Sequence, residues 1–355
     1  MPHPSPLPLL AITCGDPAGI GPEVVLAAWS RTSAHERTRL RVVAPAGLIA
    51  AAARDTPGLP RLGVEAVAAD DPRASRADTL LVVEPAARLE PVPRGRVTAA
   101  GGAAAIAALE TAFGLVRDGL ASGLVTGPLN KGAIHAAGHD VPGHTEWLAR
   151  ACGLPDAAAS MMLWLPSASG GLGVVHATLH ESLRDALGHL STAGIVAAGL
   201  RLGGVLPLLL GRPPRLAVAA LNPHGGEGGL FGDEERRLIE PAVEQLAARG
   251  LDAAGPLPAD TLFLQASRGR FDGVVALYHD QGHIPVKLLG MHRAVNITLG
   301  LPVVRTSVAH GTAFDIVGTG AADPSSMLAA IDVARRLAGA PRSAAAVMDA
   351  AASAP

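Results

Sequence analysis

The sequence predicts an α/β protein. Short apolar, β-branched runs alternate with longer alanine-rich stretches along the whole chain, and the runs repeatedly end in polar, glycine-rich loops. The length of 355 residues allows two domains of ordinary size or one large one. Open α/β sheets bind ligands at the carboxyl ends of their strands, so function is sought in those loops.

Residues 9–13 read as the first strand. It runs into Cys14-Gly15-Asp16-Pro17-Ala18-Gly19-Ile20-Gly21-Pro22-Glu23 and then the apolar stretch VVLAAW. A strand, a glycine-rich turn and a helix opening with proline start an α/β crossover. The glycines are not spaced G-x-G-x-x-G, so no Rossmann phosphate loop is indicated, and a tight turn without a ligand is the plainer reading. Strand-like runs recur at 40–44 and 79–83, residues 98–120 form a long alanine-rich helix, and 122–126 (SGLVT) form another strand. That strand delivers Gly127-Pro128-Leu129-Asn130-Lys131. Lys131 suits a phosphate contact, or a proton carrier if its surroundings lower its pKa; otherwise it is a solvated surface residue. Pro142-Gly143-His144-Thr145-Glu146 opens the helix WLARAC. Helix-start amides with a hydroxyl and an imidazole make an anion seat, although a simple N-cap by Thr145 accounts for the segment equally well.

Residues 161–165 and 172–177 are neighbouring strands joined by PSASGG, and the second ends at Thr178-Leu179-His180-Glu181-Ser182 before a long helix. RLAVAAL at 215–221 is a strand ending in Asn222-Pro223-His224 and a glycine-rich run. A helix then starts around Gly232-Asp233-Glu234-Glu235, with acidic residues in its first turn as the helix dipole favours. FDGVVAL at 271–277 is a short buried strand running into Tyr278-His279-Asp280-Gln281-Gly282, read as a loop in which Gly282 lets the backbone turn. A strand at 295–299 and a last helix at 324–338 follow, then an alanine-rich tail expected to fray.

His180, His224 and His279 each follow a predicted strand. Three imidazoles with an open fourth position are a frequent divalent-metal site, zinc above all. The spacings are long, and three independent loop histidines remain the plainer alternative. Asp260 and Asp280 are carboxylates available nearby as partners or proton acceptors. Downstream, Lys287, Asn296 and Arg305 lie nine residues apart and offer the two cations and the amide that a phosphate monoester needs.

Composition excludes several classes. Aromatics are 3% and the formal net charge is −2 with basic residues scattered, which argues against nucleic-acid binding. The two cysteines, Cys14 and Cys152, have neither ligand spacing nor a disulfide framework, as a reducing cytoplasm allows. No signal peptide is read at the N-terminus, and apolar stretches are broken before they reach membrane-spanning length, so a soluble cytoplasmic protein is expected.

The set GDPAGIGPE, TGPLNK, GHTEWLA, LNPHGGEGGLFG, GPLPADTLF, YHDQG and NITLGLPVVRTSVAHGTAFDIVG resembles the 4-hydroxythreonine-4-phosphate dehydrogenase family, from residue 15 to about 338. More distantly, the first motif and HGTAFDIVGTGAADP resemble isopropylmalate-type β-decarboxylating dehydrogenases, where the HG loop contacts the adenosine half of NAD. The resemblance implies two α/β/α domains with a cleft between them, isopropylmalate-dehydrogenase-like rather than Rossmann. The first domain is 1–140 plus about 300–355, on the nucleotide side; the second is about 141–299, on the metal and dimer side. It implies metal ligands at His180, His224 and His279, with zinc as the first choice and Mg, Mn or Co as alternatives. Substrate contacts fall on His144, Thr145, Lys287, Asn296 and Arg305, and NAD or NADP contacts on His310, Gly311, Thr312 and Asp315. The general base stays open among Lys131, Asp260 and Asp280. The implied reaction oxidises a phosphorylated 3-hydroxy acid to the 3-keto acid with decarboxylation, in a homodimer with active sites at the subunit interface.

Two departures stand out. His180 is followed by Glu181-Ser182 where many members carry small or apolar residues, and His283 replaces a common apolar residue. Both resemble subfamilies acting on 4-phosphothreonate, 4-phosphoerythronate or cyclic cis-diol dicarboxylates. Because the dicarboxylate enzymes tend to lose GHTE and the arginine of RTS, both kept here, a phosphorylated substrate is expected.

Overall fold

The apolar runs at 10–13, 40–43 and 123–126 become strands with every residue buried, as parallel strands covered on both faces require. In the computed structural model, which describes residues 7–87, 89–141, 143–167 and 170–340, the chain divides into two units. One is built from residues up to Gly153 together with Val303–Gly339, the other from Leu154–Pro302, against expected divisions near 140 and 300.

The first unit begins β1 (Leu10–Thr13), α1 (Gly21–Arg31), α2 (Ala34–Arg37), β2 (Leu40–Val43), α3 (Ala46–Asp55), β3 (Gly63–Val67) and β4 (Thr79–Val83). It continues with α4 (Ala99–Arg117), β5 (Gly123–Thr126), α5 (Lys131–Ala136) and α6 (His144–Ala151). The second unit holds β6 (Ser160–Ser167), β7 (Gly170–His176), α7 (Leu183–His189), α8 (Thr192–Leu210), β8 (Arg215–Ala219) and α9 (Glu240–Ala248). Then come β9 (Asp252–Leu257), α10 (Ala259–Ser267), β10 (Gly273–Ala276), α11 (His279–Gly290) and β11 (Val295–Leu299). The chain returns to the first unit for β12 (Arg305–Val308) and α12 (Ser325–Ala338).

Strands of the first unit run in the order β3-β4-β2-β1-β5-β12, all parallel, with Leu10 level with Leu40 on one side and Gly123 on the other. In the second unit the order is β11-β6-β7-β10-β8-β9. There β6 pairs antiparallel with β7 and β11, and the remaining pairs are parallel. Three strands escape the sequence reading. β3 (GVEAV) is a largely exposed edge strand, β9 carries Gly255-Pro256 inside its run, and β12 (RTSV) is buried but mostly polar, so none has a buried apolar signature.

The helix expected to start around 232–235 is present and opens with a π-helical turn at Glu235–Ile239 that leads into α9, with Glu235 buried. Two expectations are corrected. Residues 279–282 are the first turn of α11, not a loop. Two 19-residue helices, α4 and α8, are long and apolar enough to cross a membrane, although the apolar runs had been read as too broken. Half or more of each apolar window is buried, and the helices pack on β1 and β5 and on β7 and β10 respectively, as core helices do. The alanine-rich tail lies outside the described residues.

Candidate active site

A cavity of about 480 Å³ opens at the carboxyl ends of β7 and β10, lined among others by His180, Glu181, Ser182, Tyr278, His279 and Asp280. The two strands stay paired past their ends: Ala177 N donates to Ala276 O at 2.8 Å, and Thr178 N and Oγ1 both donate to Leu277 O at 3.2 and 2.8 Å. That extended pairing delivers His180 and His279 side by side, ring centroids 5.9 Å apart. Buried Gln281 fixes the start of α11, accepting from Leu277 N at 2.7 Å and donating to Ala220 O at the end of β8 at 2.8 Å.

Around this pair stands a histidine cluster. His283, one turn on from His279, stacks on it, and His176 at the end of β7 lies 4.7 Å from His283 by ring centroids, with Nε2 3.1 Å from His283 Nδ1. Gly282 has no room for a side chain, since a Cβ there would lie 2.3 Å from His176 Nε2. Burial, then the charges of His279 and Lys287, push His283 down to about 4; burial and its histidine neighbours hold His176 well below the usual range. Both are therefore neutral near pH 7. His279 Nδ1 lies 2.7 Å from Asp280 Oδ1, the carboxylate contact that metal-binding histidines commonly make through their second nitrogen. His176 was absent from the candidates read from sequence.

His224 sits on the loop after β8, where His224, Gly225, Gly226, Glu227 and Gly228 all have left-handed backbone. Left-handed non-glycine residues persist only where the surroundings fix them, and the buried Glu235 carboxylate anchors the base of this loop. It accepts from Leu221 N and Asn222 N at 2.9 and 2.7 Å, and its other oxygen accepts from Asn222 Nδ2. The His224 ring faces Phe231, centroids 6.4 Å apart. Among the described residues no three His, Cys, Asp or Glu side chains are placed to hold a metal ion. The structure thus brings His180 and His279 together and does not gather His224 with them.

The first unit carries a second polar centre. Arg305 opens β12 and is buried, donating to Thr126 Oγ1 through Nη2 at 2.7 Å and Nε at 3.1 Å. Burial pushes its pKa down to about 10, with Glu146 opposing, so the guanidinium is charged at neutral pH. His144 opens α6; burial and then the Arg305 charge hold it well below its usual range, and its Nε2 is buried without a hydrogen-bond partner among the described residues. The α6 cap is Gly143, with no side-chain bond, so Thr145 is not the cap.

The remaining candidates are spread more widely. Lys131 is exposed at the start of α5, Asp260 in the first turn of α10, Asp280 beside the cavity and Lys287 on α11, while Asn296 is half-buried on β11. Thr312 is buried in the loop after β12, His310 and its neighbours Gly311 and Asp315 are partly or fully exposed, and Ala313 is left-handed at φ 42°. Glu181 does not cap the following helix. Ser182 does, accepting from Asp185 N at 3.2 Å, while Glu181 Oε2 lies 2.5 Å from His189 Nδ1.

With its polar loops at strand ends, the chain is an α/β enzyme, and its relatives place it in the NAD(P)-dependent oxidoreductase class. It belongs to the family described as pyridoxal phosphate biosynthetic protein PdxA, which matches residues 36–334. It is 46% identical over 327 residues to a D-threonate 4-phosphate dehydrogenase of Cupriavidus necator, covering 92% of this chain and 96% of that one. It is also 46% identical over 335 residues to a 4-hydroxythreonine-4-phosphate dehydrogenase of Desulfosudis oleivorans, with coverage of 93% and 96%. The crystal structure of 4-hydroxythreonine-4-phosphate dehydrogenase from Klebsiella pneumoniae superposes with a TM-score of 0.80 at 40% identity, covering 95% of this chain and 99% of that one.

Proposed function

We propose that this enzyme oxidises a phosphorylated 3-hydroxy acid of the 4-phosphohydroxy-threonine type with NAD or NADP. The observation that carries the reading is the pairing of Arg305 with His144: a buried, charged guanidinium next to a half-buried imidazole of depressed pKa is a donor set that suits a phosphate monoester. His144, Thr145, Lys287 and Asn296 are the further substrate contacts, and His310, Gly311, Thr312 and Asp315 the nucleotide contacts. When bound, the nucleotide would take hydride from the hydroxyl-bearing carbon, while Lys131, Asp260 or Asp280 is the candidate base for the hydroxyl proton. The ketone so formed lies β to the carboxylate, so loss of carbon dioxide leaves the bonding electron pair on an enolate that then takes up a proton. Phosphate binding holds the reacting carbon in place without taking part.

Imidazoles, one tied through Nδ1 to a carboxylate, fit a divalent ion in kind, and two of the three donors lie together. His180, His224 and His279 would hold such an ion, zinc or alternatively Mg, Mn or Co, which supplies Lewis acidity toward the substrate oxygen. Exposed apolar residues at helical spacing, Leu183 and Leu187 on α7 and Ile284 and Leu288 on α11, support a homodimer, since such faces are covered when chains associate. Two free cysteines support a cytoplasmic location.

Relatives named for D-threonate 4-phosphate and for 4-hydroxythreonine 4-phosphate are equally identical, so identity does not choose between them. Glu181 in the cavity wall and the buried His283 favour the second reading, a catabolic 4-phosphothreonate or 4-phosphoerythronate dehydrogenase. Retention of His144 and Arg305 weighs against a cyclic diol dicarboxylate. The test is incubation with each phosphorylated hydroxy acid, a divalent metal and NAD or NADP. Reduced nucleotide supports the dehydrogenase; phosphate release without it would mean a hydrolase, and binding without turnover a sensor.

A further inference from the structure

The motif Gly15–Glu23 is left without a role by the reaction above. We infer that it is a clamp that fixes the 310–320 loop, with Glu23 as its positioning side chain, and this rests on reading that loop as the NAD(P) contact. Glu23 stands in the first turn of α1 and is 1% exposed. Its Oε1 accepts from Gly318 N at 2.7 Å and also from the Arg94 guanidinium, so one buried carboxylate joins α1, the 94–95 segment and the loop after β12. Two further contacts lock the same loop. Ile20 N donates to Thr312 O at 3.0 Å, and Gly19 lies so close that a Cβ would stand 2.5 Å from that carbonyl oxygen. Gly95 N donates to Ala18 O at 2.7 Å while its Cα faces Phe314 O.

The clamp explains two otherwise isolated facts. Ala313 keeps a left-handed backbone, φ 42° and ψ 57°, which a residue with a Cβ holds only when its neighbours are fixed on both sides. Thr312 and Gly318 are the fixed neighbours. The motif is also turned in on itself, since Asp16 Oδ1 accepts from Ala18 N at 2.9 Å, so its own backbone amides do not point outward to a phosphate as they would in a glycine-rich nucleotide turn. The glycines serve close approach of one loop to another rather than close approach to a ligand.

Glu23 touches neither proposed substrate nor proposed nucleotide contacts directly through its side chain; it acts through Gly318. The full chain carrying Glu23→Gln, which keeps volume and an acceptor oxygen but removes the charge, is compared with Arg94→Met, which leaves the buried carboxylate without its guanidinium. Backbone hydrogen exchange across 310–320, measured with no nucleotide present, should accelerate about tenfold in both, the scale of losing a charged hydrogen bond. KM for the nicotinamide nucleotide should rise by a similar factor, while KM for the phosphorylated substrate stays within about twofold of wild type. Unchanged exchange in both variants overturns the clamp, as does a parallel rise in both KM values. A wild-type enzyme that turns over no nicotinamide nucleotide would instead defeat the functional reading, and the exchange experiment would still decide whether Glu23 fixes the loop.

Discussion

The imidazoles of His279 and His283 lie face to face, centroids 3.8 Å apart and planes 8° from parallel. Two imidazolium ions would repel strongly at that separation, and this repulsion adds to burial in pushing His283 down to about 4. His279 contributes to the cavity wall, whereas His283 is buried behind it against His176. The stack thus orients the outermost histidine without exposing the inner two.

Activity should depend on a divalent ion held by His180, His224 and His279. His224→Ala and His279→Ala are expected to abolish turnover and metal retention while leaving the circular dichroism spectrum unchanged, because loop and helix-start ligands contribute little to the core. Metal analysis alongside kinetics is the check. A metal-free variant working at near wild-type rate would remove that histidine from the ligand set.

Arg305→Ala should weaken binding of the phosphorylated substrate by about 2–4 kcal/mol, the scale for losing one partner of a desolvated charge pair. Thr126, which now accepts two of its hydrogen bonds, stays in place to hold the strand ends. An unphosphorylated analogue should lose far less. Equal losses for the two compounds would sink the phosphate assignment.

Acid stability should follow Asp272, at the opposite strand ends from the cavity. Burial alone would raise its pKa, but hydrogen bonds from Arg212 and Arg215 bring it from 3.8 down to about 2. A depressed carboxyl pKa stabilises the fold above the unfolded value and loses that contribution as pH falls from 3.8 toward 2. Asp272→Asn should therefore cost about 2 kcal/mol near pH 7 and nothing once wild type is protonated, as read by urea unfolding across pH. A penalty independent of pH would assign the loss to packing.

Sequence made the central strands legible because LAIT, GLVT and GVVA are unbroken apolar runs buried on both faces. The edge strands were not, because GVEAV faces solvent and DAAGPL contains glycine and proline, so neither has a periodic signal. The start of α11 was misread for a similar reason. Gly282 and Pro285 look like loop residues, yet Gly282 is small to admit His176, a contact 106 residues away in the chain that no local pattern announces. His176 itself was hidden, since one histidine at the end of an apolar strand is distinguished only by what packs on it. His180 and His279 were readable as polar residues just beyond strands; the left-handed loop that carries His224 was visible only as glycine content.

Glu181 is the residue on which substrate choice should turn. The role of helix cap is already filled by Ser182, and the Glu181 carboxylate, about a quarter exposed, instead lies against His189 at the cavity wall. A carboxylate there has two roles to separate: steadying α7 through His189, or meeting the substrate group next to the reacting carbon. They separate cleanly. Glu181→Gln keeps the volume and removes the charge, and kcat/KM is measured on 4-phosphohydroxy-threonine and on 4-phosphothreonate. A shift of about tenfold in their ratio is expected, the discrimination that one charged hydrogen bond supplies. His189→Gln, which breaks the same pair from the helix side, should leave that ratio unchanged. If both variants instead lower thermal stability and reduce the two substrates equally, the pair steadies the helix and specificity is set elsewhere in the cavity.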